Sequence, residues 1–406
     1  MNNMITIGDI SDIVTKGTTP TTIGGNYTSE GVNFIKVESI TDDYTIDLNR
    51  ISYISEEINE RLSRSKLQVN DILLTIAGTI GKSTVVTEKI IPANTNQAVA
   101  IIRPKSNINP YLIHYFLQSS FNQGKMKQLS GLSVQPNINL EQVKSLQLRD
   151  MKYKEQNELV SKIKPYDDKI LNNIELIELL EEYSQLIFYK WFIDFNFPDK
   201  EGKPYRDNGG KMHEVDGKMI PDGWDRIELN SIVKIKTETL NPQENPDKLF
   251  NHYSIPVFDE KKLPQMELGK SILSNKYMVD SNNILVSKLN PWFKRVAYPY
   301  NVEEAVCSTE FVVWEPAIKN ILESLYIIAN TDSFTLHCTK AANGTSNSHK
   351  RVNPNYMLKY KINYNEIMLH EFNKIAKPIV TRINQAIFEN QQLAEIRDLL
   401  IKKLIV

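Results

Sequence analysis

The chain has 406 residues, of which 41% are hydrophobic and 24% charged, and this composition is typical of a soluble globular protein with two or more domains. Its formal net charge of −1 excludes a protein that coats nucleic acids without selectivity, although local basic patches can still bind phosphates. No apolar run approaches the ~18–20 residues of a membrane span, and the first residues lack the pattern of a signal peptide. Cys307 and Cys338 lack zinc-ligand spacing. We therefore expect a cytoplasmic chain without a membrane-bound part.

Residues 1–150 are expected to form a first globular domain of short strands, turns and helices. Apolar and alternating runs bounded by Gly and Pro predict the strands. A helix should follow Pro110, where the run Tyr111–Leu117 is strongly apolar. The predicted strands are Val32–Val37, Asp71–Ala77, Thr84–Val86 and Gln97–Ile102.

Residues 151–194 are expected to be helical, because apolar residues recur at steps of three and four from Leu159 to Ile187. Pro165 lies where a long helix can begin, since proline is tolerated in a first turn; alternatively, it kinks a longer helix. An amphipathic helix of this kind must bury its apolar stripe on a partner.

The rest of the chain repeats this order. Residues 195–224, rich in Gly, Pro, Asp and Lys, predict a structured but irregular connector. Residues 225–365 then form a second globular domain, and residues 366–406 form a second helical segment. The clearest anchor of the duplication is Lys164-Pro165, which superposes on Lys377-Pro378.

The duplicated helices can serve as partners for each other. Under the same offset, Ile170 and Ile174 superpose on Ile383 and Ile387. Asn390 falls in the second stripe, where one polar residue can fix the register, unless it is simply a partly exposed side chain. We therefore predict an α+β fold with two pseudo-repeated globular domains, each followed by a long helix, and an antiparallel coiled coil between the helices. The predicted coiled-coil and partner interface comprises Ile163, Ile170, Ile174, Ile177, Ile383, Ile387, Leu393 and Ile396.

No catalytic motif in the sequence is complete. Gly78–Ser83 resembles the end of a phosphate-binding P-loop, but Ile76 stands where that motif requires glycine, and a strand rather than a helix should follow. Asn290–Phe293 lacks the second proline of the amino-methyltransferase tetrapeptide, and no Gly-x-Gly-x-x-Gly turn is present. The histidines show no metal-ligand spacing, and no carboxylates form an evident acid–base pair. We therefore expect no catalytic residue, metal or cofactor in this chain.

The duplicated order of globular domain and long helix resembles the specificity subunit of type I restriction–modification enzymes. Four stretches are similar to the segment that joins the family's central helix to its second recognition domain, namely Trp191–Phe195, Gly202–Tyr205, Gly209–Met212 and Ile220–Trp224. Stretches similar to parts of the recognition domains are Leu73–Thr75 with Gly78–Lys82, Ser287–Trp292, and Gly131-x-Ser133-x-Gln135-x-Asn137-Ile138, while Glu155-Gln156 resembles the opening of the central helix. The second half departs from the first in having Ser346-x-x-His349 in place of Ser133-x-Gln135.

This resemblance implies a subunit that recognises DNA and is not itself an enzyme. Each of two target-recognition domains would contact one half of a split, asymmetric site on double-stranded DNA, and two adenine methyltransferase subunits would dock along the coiled coil. Motor–nuclease subunits would complete the complex, and S-adenosylmethionine, ATP and magnesium would belong to those partners. A helix from Pro165 to Phe192 would measure about 40 Å at ~1.5 Å per residue, close to the ~34–36 Å of one DNA turn.

Candidate DNA contacts are polar, basic and aromatic residues in the predicted loops, because phosphate contacts fix the register and contacts to base edges carry the sequence information. In the first domain they are Lys16, Thr18, Thr19, Lys82, Ser133 and Gln135. In the second domain they are Lys236, Lys288, Trp292, Lys294, Arg295, His349, Lys350 and Arg351. Arg295 is the favoured base contact, since a guanidinium group can bond guanine bidentately. For each cation the alternative is a solvated surface charge, and for Trp292 it is a packing role.

The competing interpretation is a coiled-coil scaffold with two protein-binding domains and no role at DNA. The distribution of charge favours DNA recognition. Between Lys340 and Lys361 the chain carries several cations and no acidic residue, whereas acidic residues cluster in Glu175–Glu182. A scaffold has no need for such segregated basic loops.

Overall fold

The computed structural model describes residues 4–41, 43–131, 136–300, 302–344 and 349–405. The chain divides into two compact units, of which unit 1 comprises Met1–Lys169 with Gln392–Val406 and unit 2 comprises Ile170–Gln391. The strands of unit 1 are β1 (Met4–Thr6), β2 (Ser11–Lys16), β3 (Val32–Ile35), β4 (Ser52–Ile54), β5 (Ile72–Thr75), β6 (Ser83–Val85), β7 (Ala93–Thr95), β8 (Val99–Pro104) and β9 (Gln147–Arg149). Its helices are α1 (Ile7–Ile10), α2 (Glu56–Arg61), α3 (Pro110–Gln118), α4 (Ser120–Leu129) and α5 (Leu140–Lys144), followed by the start of α6 (Tyr153–Phe192).

Unit 2 contains the end of α6 and the second set of elements. Its strands are β10 (Met212–Val215), β11 (Lys218–Pro221), β12 (Asp225–Glu228), β13 (Val233–Lys236), β14 (Thr239–Leu240), β15 (Leu249–Tyr253), β16 (Gln265–Leu268), β17 (Lys276–Val279), β18 (Ile284–Ser287), β19 (Val296–Ala297), β20 (Ala305–Cys307), β21 (Phe311–Pro316) and β22 (Lys361–Tyr364). Its helices are α7 (Ile255–Lys261), α8 (Leu322–Ala329), α9 (Asp332–Lys340) and α10 (Pro354–Met357), followed by α11 (Glu366–Leu404), which ends in unit 1.

The two units repeat one sheet topology, which confirms the predicted duplication. The strand order β2–β8–β5–β6 in unit 1 corresponds to β13–β21–β18–β19 in unit 2. A second sheet is built around a parallel pair in each unit, β3 with β7 and β15 with β20, and an antiparallel neighbour, β4 or β16. In unit 2, β14 and β17 extend this second sheet. An antiparallel ladder joins the first strand of each globular domain to its last, β1 to β9 and β12 to β22.

The predicted local structure of the first domain is confirmed, because apolar runs form the buried strands and the Pro110 helix. Ile72, Leu73 and Leu74 of β5 are fully buried in the centre of their sheet. The helix α3 begins at Pro110, and the Asn109 side chain accepts a hydrogen bond from Tyr111 N at 3.0 Å. This cap satisfies one of the amide groups left unbonded in the first turn. The result is a helix whose central residues are all buried.

In unit 1, α6 packs against the end of α11. Ile163 shares a hydrophobic core with Ile401 and Ile405, and this core also contains strands and helices of the first globular domain. Arg397 is buried on the same side, where its guanidinium bonds Asp167 Oδ1 at 3.0 Å and lies 5.7 Å from the centre of the Tyr44 ring. The nearby carboxylates hold the pKa of Arg397 above its usual value although burial opposes this shift.

In unit 2, the other end of α6 packs against the start of α11. Phe188 and Phe192 stack on each other and both contact Phe372 edge-on. Farther along the seam, the buried Asn173 donates hydrogen bonds to Asn390 Oδ1 and Glu389 Oε2, each at 2.9 Å. A polar contact therefore lies within the apolar seam at Asn390, as the sequence analysis allowed. The residue pairs of both units show that the two helices are antiparallel, which confirms the predicted fold class.

The structure distinguishes among the predicted interface residues. Ile163, Ile170 and Ile383 are buried, whereas Ile396 is 42% exposed. The remaining four are half-buried, namely Ile174, Ile177, Ile387 and Leu393. Both prolines lie inside the long helices. The alternative in which each helix begins at its proline is therefore wrong, because a further helical segment precedes each proline.

The connector 195–224 contributes aromatic residues to the core of unit 2. Phe195, Phe197 and Trp224 are buried in the core of unit 2, and the rings of Phe197 and Trp224 stack with centroids 5.1 Å apart. The hairpin β10–β11 lies within this segment. Among the described helices, none has the combination of length and apolar composition needed to cross a membrane.

We predict that Arg397 stabilises unit 1 through its buried ion pair. Arg397→Met should reduce the free energy of unfolding by about 3 kcal/mol, because it leaves the largely buried Asp167 without a partner. The double variant with Asp167→Leu should lose less stability than the single variant. Lys144→Met is the control, since its pair with Glu141 is exposed and worth about 0–1 kcal/mol. Denaturant unfolding measures all three, and equal losses for Arg397→Met and Lys144→Met would contradict the prediction.

We also predict a pH dependence from His114, which is buried against Ser83 and Gln118. Burial, with a smaller contribution from Arg397, lowers the pKa of His114 from 6.5 to about 3. The folded state therefore favours the neutral ring, so this stability is present above pH 6.5 and is lost as the pH falls toward 3. Wild type should lose up to ~1.4 kcal/mol per pH unit more than His114→Gln between pH 6.5 and 5. Parallel stability curves for the two proteins would refute this assignment.

Candidate nucleic-acid interface

In each unit, the candidate loops emerge at one end of the main sheet. In unit 1, Lys16 at the end of β2 and Leu74 near the end of β5 both pair with Ala100 of β8. In unit 2, Lys236 at the end of β13 and Leu285 of β18 both pair with Val313. Because β2 and β5 are both antiparallel to β8, their following loops lie together, and the same holds for β13 and β18 about β21.

The loop after β2 is held closely against its own domain. Thr19 N donates to Gln97 Oε1 at 3.1 Å, and the Thr19 hydroxyl contacts the same oxygen. A Cβ atom at Gly17 would lie 1.8 Å from the carbonyl oxygen of Thr95, so only glycine fits there. Lys16 and Thr18 flank this close approach and are half-buried. Sequence reasoning missed Gln97, which positions the loop and lies far from it in the chain.

The loop after β5 carries the other described candidate of unit 1. Lys82 Nζ donates to the carbonyl oxygen of Ile40 at 3.4 Å, and the Gln123 amide donates to the carbonyl oxygen of Gly81 at 2.8 Å. The loop is therefore anchored from two directions. Ser133 and Gln135 lie outside the described residues.

In unit 2, two candidate segments that are distant in the sequence come together. Asn290 N donates to the carbonyl oxygen of Lys350 at 2.7 Å, and Lys350 N donates to Asn290 Oδ1 at 2.9 Å. Val352 N also donates to the carbonyl oxygen of Lys288 at 3.0 Å. The equivalent contact in unit 1 joins Ile138 N to the carbonyl oxygen of Ile76 at 2.9 Å, so both units share this arrangement.

Four of the candidate cations of unit 2 are paired with carboxylates. Lys236 bonds Asp280 at 2.8 Å, and Lys294 contacts Asp332. The Arg295 guanidinium bonds both oxygens of Asp259, at 2.5 and 2.8 Å, and the Arg351 guanidinium bonds both oxygens of Glu310, each at 2.9 Å. The hydrogen bonds that Arg351 donates to Glu310 raise the pKa of the Arg351 guanidinium. The acidic partners lie far away in the chain, and no local sequence pattern identifies them.

The remaining cations of this region are more available. The side chains of Lys288 and Lys350 are half-buried, and neither has a carboxylate partner within the part of the chain that the structure describes. His349 is exposed beside them. Lys288 and Lys350 therefore give the joined loops positive charge that the neighbouring ion pairs do not neutralise.

The loops after β5 and β18 have the same base and different tips. Thr75 N bonds the carbonyl oxygen of Lys82 at 2.8 Å, and Ser287 N bonds that of Arg295 at 2.9 Å. Lys82 and Arg295 therefore occupy equivalent positions, and each donates hydrogen bonds within its own unit. Between these positions unit 1 has Gly78-Thr79-Ile80-Gly81 and unit 2 has Asn290-Pro291-Trp292-Phe293-Lys294.

Comparison with known proteins shows a similarity in the first part of the chain to proteins that determine DNA specificity. Residues 2–182 match the family model described as the type I restriction modification DNA specificity domain. This segment of the chain is therefore similar to the type I restriction–modification specificity domain, in agreement with the resemblance seen in the sequence.

Two relatives are specificity subunits. The chain is 27% identical over 258 residues to the type I restriction enzyme MjaIX specificity subunit of Methanocaldococcus jannaschii, an overlap of 63% of this chain and 57% of that protein. It is 35% identical over 140 residues to the EcoBI specificity subunit of Escherichia coli, covering 34% of this chain and 29% of that protein. In both comparisons the chain spans less than two thirds of its relative.

The fold also matches a solved structure along its whole length. The S subunit of the type I restriction-modification system from M. genitalium superposes with a TM-score of 0.58, at 16% identity, over 100% of this chain and 96% of the other. At this level of identity the likeness establishes the fold, and it agrees with the duplication seen in the sheets.

Proposed function

We propose that this chain is the DNA-recognition subunit of a type I restriction–modification complex. The observation that carries the proposal is the duplicated unit, which directs anchored polar loops from one end of each main sheet. The match of residues 2–182 to the DNA specificity domain supports it. Two such units with different loop tips suit a site made of two different half-sites. Base contacts from each tip would supply specificity, and nearby cations would contact phosphates.

The phosphate contacts are best assigned to cations that do not already bind carboxylates. Lys288 and Lys350 meet this condition in unit 2, and the bonds around Asn290 hold their two segments together. Arg351 would first have to leave Glu310, which bonds it bidentately. We therefore rank Lys288 and Lys350 above Arg351 as phosphate ligands.

Catalysis in this proposal belongs to partner subunits. On the part of α6 in unit 2, Leu179, Tyr183, Leu186 and Tyr189 are 50–63% exposed and follow one another at helical spacing. An exposed apolar stripe of this kind is typical of a protein-binding surface. It supports docking of the two methyltransferase subunits on the long helices, with motor–nuclease subunits added to the complex.

The cofactors follow from this division of labour. S-adenosylmethionine would bind the methyltransferase subunits, and ATP with magnesium would serve the motor–nuclease subunits. A complex that modifies chromosomal DNA must share its compartment, and we therefore place the chain in the cytoplasm.

The electrostatic assignment predicts a change in salt dependence. In the complex with methyltransferase, Lys288→Ala with Lys350→Ala should weaken DNA binding and reduce the slope of log K against log salt by about 0.9 per lost phosphate contact. Lys361→Ala is the control for the loss of one positive charge elsewhere in unit 2, because its ammonium group pairs with Asp216 beside the β12–β22 ladder. Binding isotherms over a salt series measure the slopes, and an unchanged slope for the double variant rejects these two ligands.

The duplication predicts that each half-site is specified separately. Replacing residues 225–365 with the same region of a relative should change one half of the methylated motif and leave the other half intact. Mapping of methylated adenines in cells that carry the hybrid with its methyltransferase tests this expectation. A hybrid that changes both halves would contradict the proposal that each unit specifies its half-site independently.

The proposal also predicts that the purified chain alone, given S-adenosylmethionine, transfers no methyl group to DNA.

A further inference from the structure

An aromatic pair at the tip of the loop after β18 is exposed to solvent. Phe293 is 56% exposed and Trp292 is 37% exposed, with ring centroids 5.9 Å apart. Both belong to the short helical turn Pro291–Phe293, of which only Pro291 is buried. The pair therefore contributes little to the core of its own domain and offers flat apolar surface to a partner.

The Phe293 ring rests on a fixed support. The Arg295 guanidinium carbon lies 4.6 Å from the centre of the ring. This guanidinium is held in turn by both oxygens of Asp259, and it also donates to the carbonyl oxygen of Leu289 at 3.2 Å. Only 9% of the Arg295 side chain is exposed. Arg295 thus covers one part of the ring and leaves the remainder facing outward.

The backbone of the loop is also constrained. Asn290 and Lys294, on either side of the turn, have φ values of 47° and 48°, in the left-handed region that side-chain-bearing residues rarely adopt. The bonds between Asn290 and Lys350 anchor one end of the turn, and the contact between Lys294 and Asp332 anchors the other. Such strain persists where the surrounding structure fixes it, and it is often found at functional sites. The aromatic tip is therefore preorganised.

We propose that Phe293, together with Trp292, stacks against DNA bases in the half-site of unit 2, and that Arg295 is a positioning residue for Phe293 rather than the base contact. This inference rests on the proposed role in DNA recognition. In duplex DNA, apolar side chains such as Phe insert between base steps and partly unstack them. Aromatic rings beside cations also stack on the faces of unpaired bases. Lys288 and Lys350 supply those cations next to the tip, which favours DNA over a protein partner.

The internal repeat limits where the effect should occur. The equivalent tip of unit 1, Gly78-Thr79-Ile80, has no aromatic residue, although the base of the loop is the same. Stacking should therefore contribute to one half-site only. The other half-site then serves as a control within the same complex.

The test uses the complex with methyltransferase and duplex oligonucleotides that contain the motif defined by mapping methylated adenines. Phe293→Ala should reduce affinity roughly tenfold or more, with selectivity lost only in the half-site of unit 2, whereas Phe293→Tyr should retain binding. A 2-aminopurine base placed in that half-site should change its fluorescence on binding of wild type, and Phe293→Ala should lose this change. Leu273→Ala is the control for the loss of an exposed apolar side chain, because Leu273 is 78% exposed in the same unit and lies outside the loop after β18.

The positioning role of Arg295 is tested through its carboxylate partner. Arg295→Lys keeps the charge but loses the bidentate bond, and Asp259→Asn weakens the same bond from the other side. Both should lower affinity as Phe293→Ala does, and each should add little further loss when combined with it. If Arg295 contacts a base directly, Asp259→Asn will free it and leave affinity unchanged or improved, which overturns this assignment.

The outcomes separate this inference from the proposed function. Wild type without sequence-specific binding would refute the proposed function itself. If wild type binds specifically and Phe293→Ala binds with the affinity of wild type, only the stacking role is refuted. If Phe293→Ala keeps normal DNA affinity but no longer copurifies with the methyltransferase subunit, the tip binds a protein partner. That result would also overturn the inference.

Discussion

Burial of the apolar stripes of α6 and α11 is the constraint on which the rest of the structure depends. Neither helix is stable alone in water, because an exposed stripe of this length gains nothing that offsets the entropy of ordering the chain. In unit 1 the stripe is buried where Ile163 meets Ile401, and in unit 2 where Phe188 meets Phe372. The polar contact of Asn173 with Asn390 adds a requirement of register, since any slip would bury these amides without partners.

Both globular domains hold their exposed loop in the same way. Each has one sheet whose central strand directs a loop outward, and a later segment of the chain bonds to that loop near its base. The residues that hold the loop are buried or hydrogen-bonded within the domain, whereas the tip is exposed. Stability and recognition are therefore assigned to different residues of one loop, and the two copies could diverge at the tip while keeping the same frame.

Periodicity and internal repetition were sufficient to predict the fold, because both depend on local spacing. The helix after Pro110, the strand at Ile72–Thr75 and the two long helices all follow from apolar patterns of this kind. The electrostatics of the loops could not be predicted in the same way. Asp259 pairs with Arg295 and Glu310 with Arg351 only because the topology joins distant segments. A list of loop cations taken from the sequence therefore cannot distinguish available charges from those already satisfied.

The composition of unit 1 also affects the order of folding during synthesis. Its core includes Ile401 and Ile405, so it is completed by residues 392–406, which leave the ribosome after all of unit 2. Unit 2 is one continuous stretch of chain, so it can fold before residues 392–406 are made. Translation adds about 5–20 residues per second. During the intervening seconds the first half of α6 carries an uncovered apolar stripe. The unit whose synthesis begins first is thus the last to have its core completed.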